Sequence, residues 1–159
     1  MKPLRRLECS DHDAVREVYR EAVESCSSEL YTADQRAAWA HQSGSATLLS
    51  CLQRGQGLVS CAANGTIAAF AVREPADRIA LLYCRPAHQH QGHAGRLLLA
   101  LEQDARQEGI ARLRTEASFL SRALFRRQGW QPSWQEELLI NGIHFRRFRL
   151  HKPLQPILS

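Results

Sequence analysis

The sequence predicts a mixed α+β domain: a mostly antiparallel central sheet flanked by helices, with one strand–loop–helix at its centre. Three observations predict it. Amphipathic helical patterns fill the first third of the chain. Two Asn-Gly dipeptides each separate a pair of short apolar runs. Between those pairs, a strand-like run leads through a small-residue loop into a leucine-rich helical pattern. At 159 residues the chain suits a single domain with a real core, expected over residues 1–152, followed by a loose tail at 153–159.

Leu4 to Cys9 alternates weakly and reads as a first strand. Ser10 is the expected cap of the next helix, with Asp13 three residues on. Val15, Val18, Tyr19, Ala22 and Val23 form one apolar face of that helix. Cys26 to Leu30 connects to a second helix headed by Tyr31, with Thr32 and Gln35 as a capping box. Gly44 ends it, and Ser45 to Gln53 fits a short third helix. Leu58–Ala62 and Ile67–Val72 flank Asn64-Gly65, a hairpin signal in which both turn residues favour positive φ.

The apolar run Ile79–Cys84 must stop near Pro86, which cannot donate a ladder hydrogen bond. A polar loop with Gly92, Ala94 and Gly95 follows. Leu98, Leu101 and Ala105 then keep helical spacing up to the stop at Gly109. A helix N-terminus offers unpaired N–H groups and a partial positive charge, and small residues let an anion approach them. The pattern fits a pyrophosphate held at residues 89–95, and equally an ordinary strand-to-helix turn. Ala111–Ser118 alternates, with Leu113, Thr115 and Ala117 on one face. Phe119–Gln128 reads as a helix with Ala123, Leu124 and Phe125 available for burial, stopped by Gly129. Trp134–Ile140 and Ile143–Leu150 flank the second hairpin turn, Asn141-Gly142.

Composition narrows the function classes. No apolar run approaches the ~20 residues of a membrane span, and two early arginines break any signal-like segment, so a cytoplasmic protein is expected. Five cysteines without a C-x-x-C read as free thiols, not a disulfide or zinc framework. The net charge of +5 is modest and spread out, which argues against nucleic acid and suits a polyanionic cofactor. His88, His90 and His93 have ligand-like spacing, but no carboxylate or cysteine completes a site, so no metal is expected.

Gln89-His90-Gln91-Gly92-His93-Ala94 resembles the Q/R-x-x-G-x-G/A signature of the GNAT acyltransferase superfamily. Pro86 upstream, the leucine-rich helix downstream, and Ser121 to Trp130 with its Gly-aromatic end extend the likeness over nearly the whole chain. The run from Leu30 to Ala40 and the Thr115-Glu116-Ala117-Ser118 strand resemble a bacterial subgroup of that family. The resemblance implies acetyl-CoA as cosubstrate and transfer of its acetyl group to a primary amine, of a small molecule or a protein, by direct attack in a ternary complex. Competing readings are a non-catalytic coenzyme A–binding module and, more distantly, a nucleic-acid binder. A monomer or a homodimer is compatible with either of the first two.

By the same resemblance, Gln89, His90, Gln91, Gly92, His93, Ala94, Gly95 and Arg96 would hold the pyrophosphate, His90 standing where glycine is frequent and His93 where a branched apolar residue is usual. Leu82, Tyr83 and Cys84 would form a splayed strand whose N–H groups bind the cofactor, that of Cys84 polarising the thioester. The Cys84 thiol itself reads as packing. Ser118 would reach the cofactor arm or cap the next helix, and Phe125 would pack on that arm or the core. Phe125 also stands where many members carry the tyrosine that protonates the departing thiolate. Glu116 is the expected base, or else one half of a salt bridge to Arg114 or another arginine. Tyr31 is the expected source of the missing phenol, or else a buried aromatic that holds its helix down. Acceptor pockets in this family are built from the front helices and the closing hairpin.

Overall fold

Among residues 2–156, which the computed structural model describes, the apolar runs become strands β1 (Arg5–Arg6), β2 (Gln56–Cys61), β3 (Ile67–Arg73), β4 (Arg78–Cys84), β5 (Arg112–Ala117), β6 (Gln131–Ile140) and β7 (Ile143–Pro153). The helical patterns become α1 (His12–Glu24), α2 (Ala33–His41), α3 (Ala46–Arg54), α4 (His93–Gln107) and α5 (Arg122–Arg127). The strands form one sheet in the order β1-β2-β3-β4-β5-β7-β6. Every neighbouring pair is antiparallel except β4 and β5, which run parallel across the α4 crossover. Among the described residues no helix is long and apolar enough to cross a membrane.

The central strand β3 shows how the two faces differ. All seven of its residues are buried; alternation sends Phe70 and Val72 to one face and Ala69 and Ala71 to the other, and the register shift against β2 brings Ile67 to the Phe70 face. The large side chains meet Val15, Val18, Tyr19 and Val23 of α1. The alanines let α4 sit close with Leu97, Leu98, Leu101 and Ala105. Phe70 is fully buried, so its truncation to alanine costs about 3–5 kcal/mol. A buried polar link ties α4 to the far end of β7. Glu102 accepts from Lys152 Nζ at 2.5 Å and Trp130 Nε1 at 3.1 Å, so the buried carboxylate is paired.

Several local expectations change in detail. Asp11, not Ser10, folds back to cap the start of the first helical turn: its Oδ2 accepts the Glu8 N–H at 2.8 Å. A carboxylate has acceptor sites to spare, and the same group holds Arg5 at 2.8 and 3.0 Å. The Thr32–Gln35 capping box forms as expected. The two Asn-Gly turns are not alike. Asn141 and Gly142 both take left-handed φ, 49° and 76°, and join β6 to β7 directly. In the first turn only Gly65 does, at 89°; the Asn64 side chain instead accepts the Thr66 N–H at 3.0 Å, inside a longer loop. The helix expected from Phe119 starts at Arg122, and Ala123 is exposed. β7 runs through Pro153, and Leu154 is buried with its N–H donated to Ala111 O at 2.8 Å, so the expected tail departs later than 153. Residues 157–159 of that tail lie outside the described residues.

Candidate active site

The site begins where two parallel strands part. β4 and β5 are in register only at Arg78–Arg114 and Ile79–Thr115, where Thr115 Oγ1 donates to Ile79 O at 2.8 Å. Beyond Ile79 the strands diverge. The Arg85 N–H donates to Ala68 O at 2.8 Å, which sets the antiparallel alternation with β3. Tyr83 and Leu81 therefore turn their main-chain groups toward β3, and Leu82 and Cys84 turn theirs the other way, into the gap left by β5. The gap opens into a cleft of about 180 Å³. α2 contributes Trp39 to it, the segment just before its cap Thr32 contributes Tyr31, and the closing hairpin contributes Leu138, Ile140 and Phe145.

A second cleft, of about 280 Å³, lies over the β4–α4 loop. Leu82, Tyr83, Leu120 and Ser121 line both, so the two are adjoining parts of one depression. Gly92 caps α4 with φ 90°, a conformation that a side chain strains, and a Cβ there would meet nothing within 4 Å. The first helical hydrogen bond at this end is Arg96 N–H to Gly92 O. The N–H groups of residues 90–95 have no partner among the described residues, which leaves six successive main-chain donors at the positive end of a 15-residue helix. This arrangement accommodates a diphosphate, and the exposed Arg127 in the cleft lining adds a positive charge.

The loop explains both departures from the family pattern. His90 has φ 63°, a left-handed conformation that glycine adopts without strain. His93 is buried, with Nδ1 2.7 Å from Ser60 Oγ and its ring edge-on to His88. Ser60 supplies the partner that a polar ring needs in the interior. Burial, reinforced by the nearby His88 and Arg96 charges, holds the His93 ring below its ordinary value.

Two expected cofactor residues serve other contacts. Gly95 is small for packing as well as for access: a Cβ would come 3.1 Å from Gln128 Nε2, which donates to Gly95 O. Arg96 turns away from the loop cleft, with its guanidinium on Ser60 Oγ and Lys2 O and its N–H used within the helix. Gln89, His90, Gly92, His93, Ala94 and Gly95 line the cleft; Gln91 is exposed beside it.

The catalytic candidates come out differently. Glu116 lines the gap, but both of its oxygens are taken. Arg78 Nε lies 2.9 Å from Oε2 and Arg149 Nη1 lies 3.4 Å from Oε1; Arg114 pairs with Asp77 instead. Tyr31 is buried against Trp39, Phe119 and Phe145, and its hydroxyl oxygen accepts the Phe119 N–H at 2.9 Å. Burial pushes its phenol up. The Cys84 thiol is likewise pushed up by burial, to about 11, so it stays protonated at neutral pH; its contribution to the gap is its N–H. Ser118 Oγ accepts the Leu120 and Ser121 N–H groups at 3.1 and 3.2 Å, a turn cap that delays α5. Phe125 packs on Trp130 at 4.9 Å and turns an edge to the gap.

Arg78, Arg147 and Ser121 also line the gap, and sequence reasoning did not single them out as site residues. Nothing in local spacing marks them. They converge only because β4, the hairpin and the β5–α5 turn meet there.

Comparison with known proteins agrees with this architecture. The family description "Acetyltransferase (GNAT) domain" matches residues 14–152. No curated protein matches the sequence. Among solved structures, a GCN5-related N-acetyltransferase of Rhodopseudomonas palustris is 24% identical with a TM-score of 0.89, covering 96% of this chain and 95% of its own. A PaiA N-acetyltransferase of Thermoplasma acidophilum in complex with coenzyme A is 19% identical with a TM-score of 0.74, covering 96% and 99%. YncA of Salmonella typhimurium, with acetyl-CoA, is 20% identical with a TM-score of 0.65, covering 99% and 96%. At these identities the likeness carries the fold. With the family match spanning most of its length, the chain belongs to the GNAT acetyltransferase family.

Proposed function

We propose that the protein is an N-acyltransferase that moves an acetyl group from acetyl-CoA to a primary amine by direct attack in a ternary complex. The observation that carries this reading is the junction of the two clefts. Six free main-chain donors lie beside a sheet edge whose Leu82 and Cys84 N–H groups have no strand partner. Residues 90–95 would hold the diphosphate, and the Leu82–Cys84 edge would hold the pantetheine arm. When bound, the cosubstrate supplies an activated acyl thioester.

The chain's own residues then bind, orient and exclude water. The Cys84 N–H would polarise the carbonyl of a bound thioester, and a fixed donor at such a point favours the transition state over the ground state. Trp39, Tyr31, Leu138 and Phe145 wall the acceptor side. Glu116, held by Arg78 and Arg149, acts as a positioning residue that fixes those guanidiniums, and the amine proton leaves to water in the cleft. No phenol stands at Phe125, and the Tyr31 hydroxyl oxygen accepts the Phe119 amide, so the departing thiolate takes its proton from water.

Calorimetry with acetyl-CoA, followed by coenzyme A release across a panel of amines, tests the reading. Binding with amine-dependent release supports it. Absence of binding on folded protein overturns it. Tight binding without turnover on any amine leaves the second reading, a coenzyme A–binding module, which Phe125 and the occupied Glu116 favour.

A further inference from the structure

The walls of the acceptor cleft carry more positive charge than the sheet consumes. Arg78, Glu116, Arg149, Glu136 and Arg147 form a chain of alternating charges under the gap. Each carboxylate in it is engaged by two guanidiniums, so neither has an oxygen free for a cationic ligand. The guanidiniums are not exhausted. Arg78 uses Nε on Glu116 and Nη1 on the main-chain oxygen of Glu74, at 2.9 and 3.2 Å, and Nη2 has no partner among the described residues. Arg147 uses only Nε, on Glu136, and both of its terminal nitrogens are without partners among the described residues.

Arg78 and Arg147 line the gap between β4 and β5 and also the outer groove that continues from it toward α3. Arg146, the neighbouring residue on the same hairpin strand, is paired with Glu137 and leaves the free donors to Arg78 and Arg147. The acidic group facing the groove without an arginine is Glu74, which lies at its outer end beside Cys51. Close to the gap, a second ammonium on an acceptor would meet like charge, and an anion would meet unused donors in a planar fork.

From this arrangement we infer that the acceptor is a small amine that carries its own anionic group, a carboxylate or a phosphate, held between Arg78 and Arg147 while the amine points into the β4–β5 gap. This rests on the reading of that gap as the acceptor site. It specifies the substrate class: amino acids or aminoalkyl phosphates, and not polyamines or neutral alkylamines. The cleft of about 180 Å³ next to the gap suits a molecule of that size.

The test is coenzyme A release from acetyl-CoA with matched acceptors: amino acids against their amides, aminoalkyl phosphates against the corresponding amino alcohols, and a polyamine. We expect at least one anionic class to exceed its neutral partner in kcat/KM by about tenfold or more, the low end for one charge-assisted hydrogen bond. The preferred anion names the source. In Arg147→Ala that ratio falls toward one, and in Arg147→Lys it recovers partly; being a ratio, it is insensitive to any loss of folded enzyme. Neutral partners or the polyamine turning over as well as the acids, or an unchanged ratio in Arg147→Ala, overturns the inference while leaving acyl transfer intact. Bound acetyl-CoA with no release on any amine overturns both.

Discussion

The two halves of the depression are built from different material. The loop cleft is made of main chain: six N–H groups at the start of α4, with only Arg127 contributing a charged side chain. The acceptor cleft is made of side chains: aromatic rings from the α2 region, aliphatic groups from the hairpin, and arginines drawn from strands distant in sequence. A main-chain site tolerates wide variation in residue type provided the backbone keeps its path. A side-chain site changes with every substitution. One family can therefore share the first half and diverge in the second.

Gly92→Glu is the most severe way to break the main-chain half. It forces a side chain into φ 90° and sets a carboxylate over the donors that would meet a diphosphate. Like-charge apposition costs several kcal/mol, so acetyl-CoA affinity should fall by more than about 100-fold. Since a Cβ at Gly92 meets nothing within 4 Å, circular dichroism should remain that of a folded protein. Retained affinity would separate the loop from cofactor binding.

The matching perturbation of the side-chain half is Glu116→Gln. A general base contributes 10²–10⁴-fold by the usual range. With both oxygens engaged by arginines, Glu116 should instead show a fall in kcat of less than about tenfold, with an unchanged pH profile. A larger loss that tracks pH would restore Glu116 as the base.

The same contrast decides what could be read from the chain. The loop was legible because main-chain sites are written in punctuation: Pro86 ends a strand, Gly92 permits a left-handed cap, and Leu98, Leu101 and Ala105 announce the helix. The hairpin turns and the single crossover announced a mixed, mostly antiparallel sheet, but not its order, in which β7 rather than β6 lies beside β5. The partners of Glu116 were not legible. Register brings Arg149 opposite it on β7, and Arg78 reaches it across the one parallel pair. Neither contact leaves a trace in local spacing. The Ser118–Ser121 turn was half legible: a serine cap was expected, but the delay of α5 that it causes arises because two hydroxyls satisfy amides that a helix would otherwise use.

A milder effect sharpens the comparison inside the loop itself. His93 is the one imidazole that the loop buries, and its value is lowered mainly by burial. The unfolded chain then binds more protons than the native one below about pH 6.5, so stability is complete above that value and is lost as pH falls through the lower native value. His93→Leu, which restores an apolar residue, should flatten this part of the profile. The measurement is the wild-type-minus-variant difference in melting temperature at pH 7.5 and at pH 5.5. A difference that does not change between the two would mean that the ring titrates alike in the folded and unfolded chain, so that burial does not shift it.

The smallest effect distinguishes conformation from chemistry at His90. Its φ of 63° costs a side chain about 1 kcal/mol, the low end for left-handed residues. Glycine removes that strain but adds about 0.5 kcal/mol of unfolded-chain entropy. His90→Gly should therefore raise the melting temperature by only about 1–2 °C. Cofactor affinity should move the other way, falling by less than about threefold, because a glycine widens the range of loop conformations that binding must narrow. His90→Ala keeps the strain and so should gain no stability. If His90→Gly instead loses affinity by tenfold or more, the imidazole itself touches the cofactor, and the loop is not the purely main-chain site that its six free amides describe.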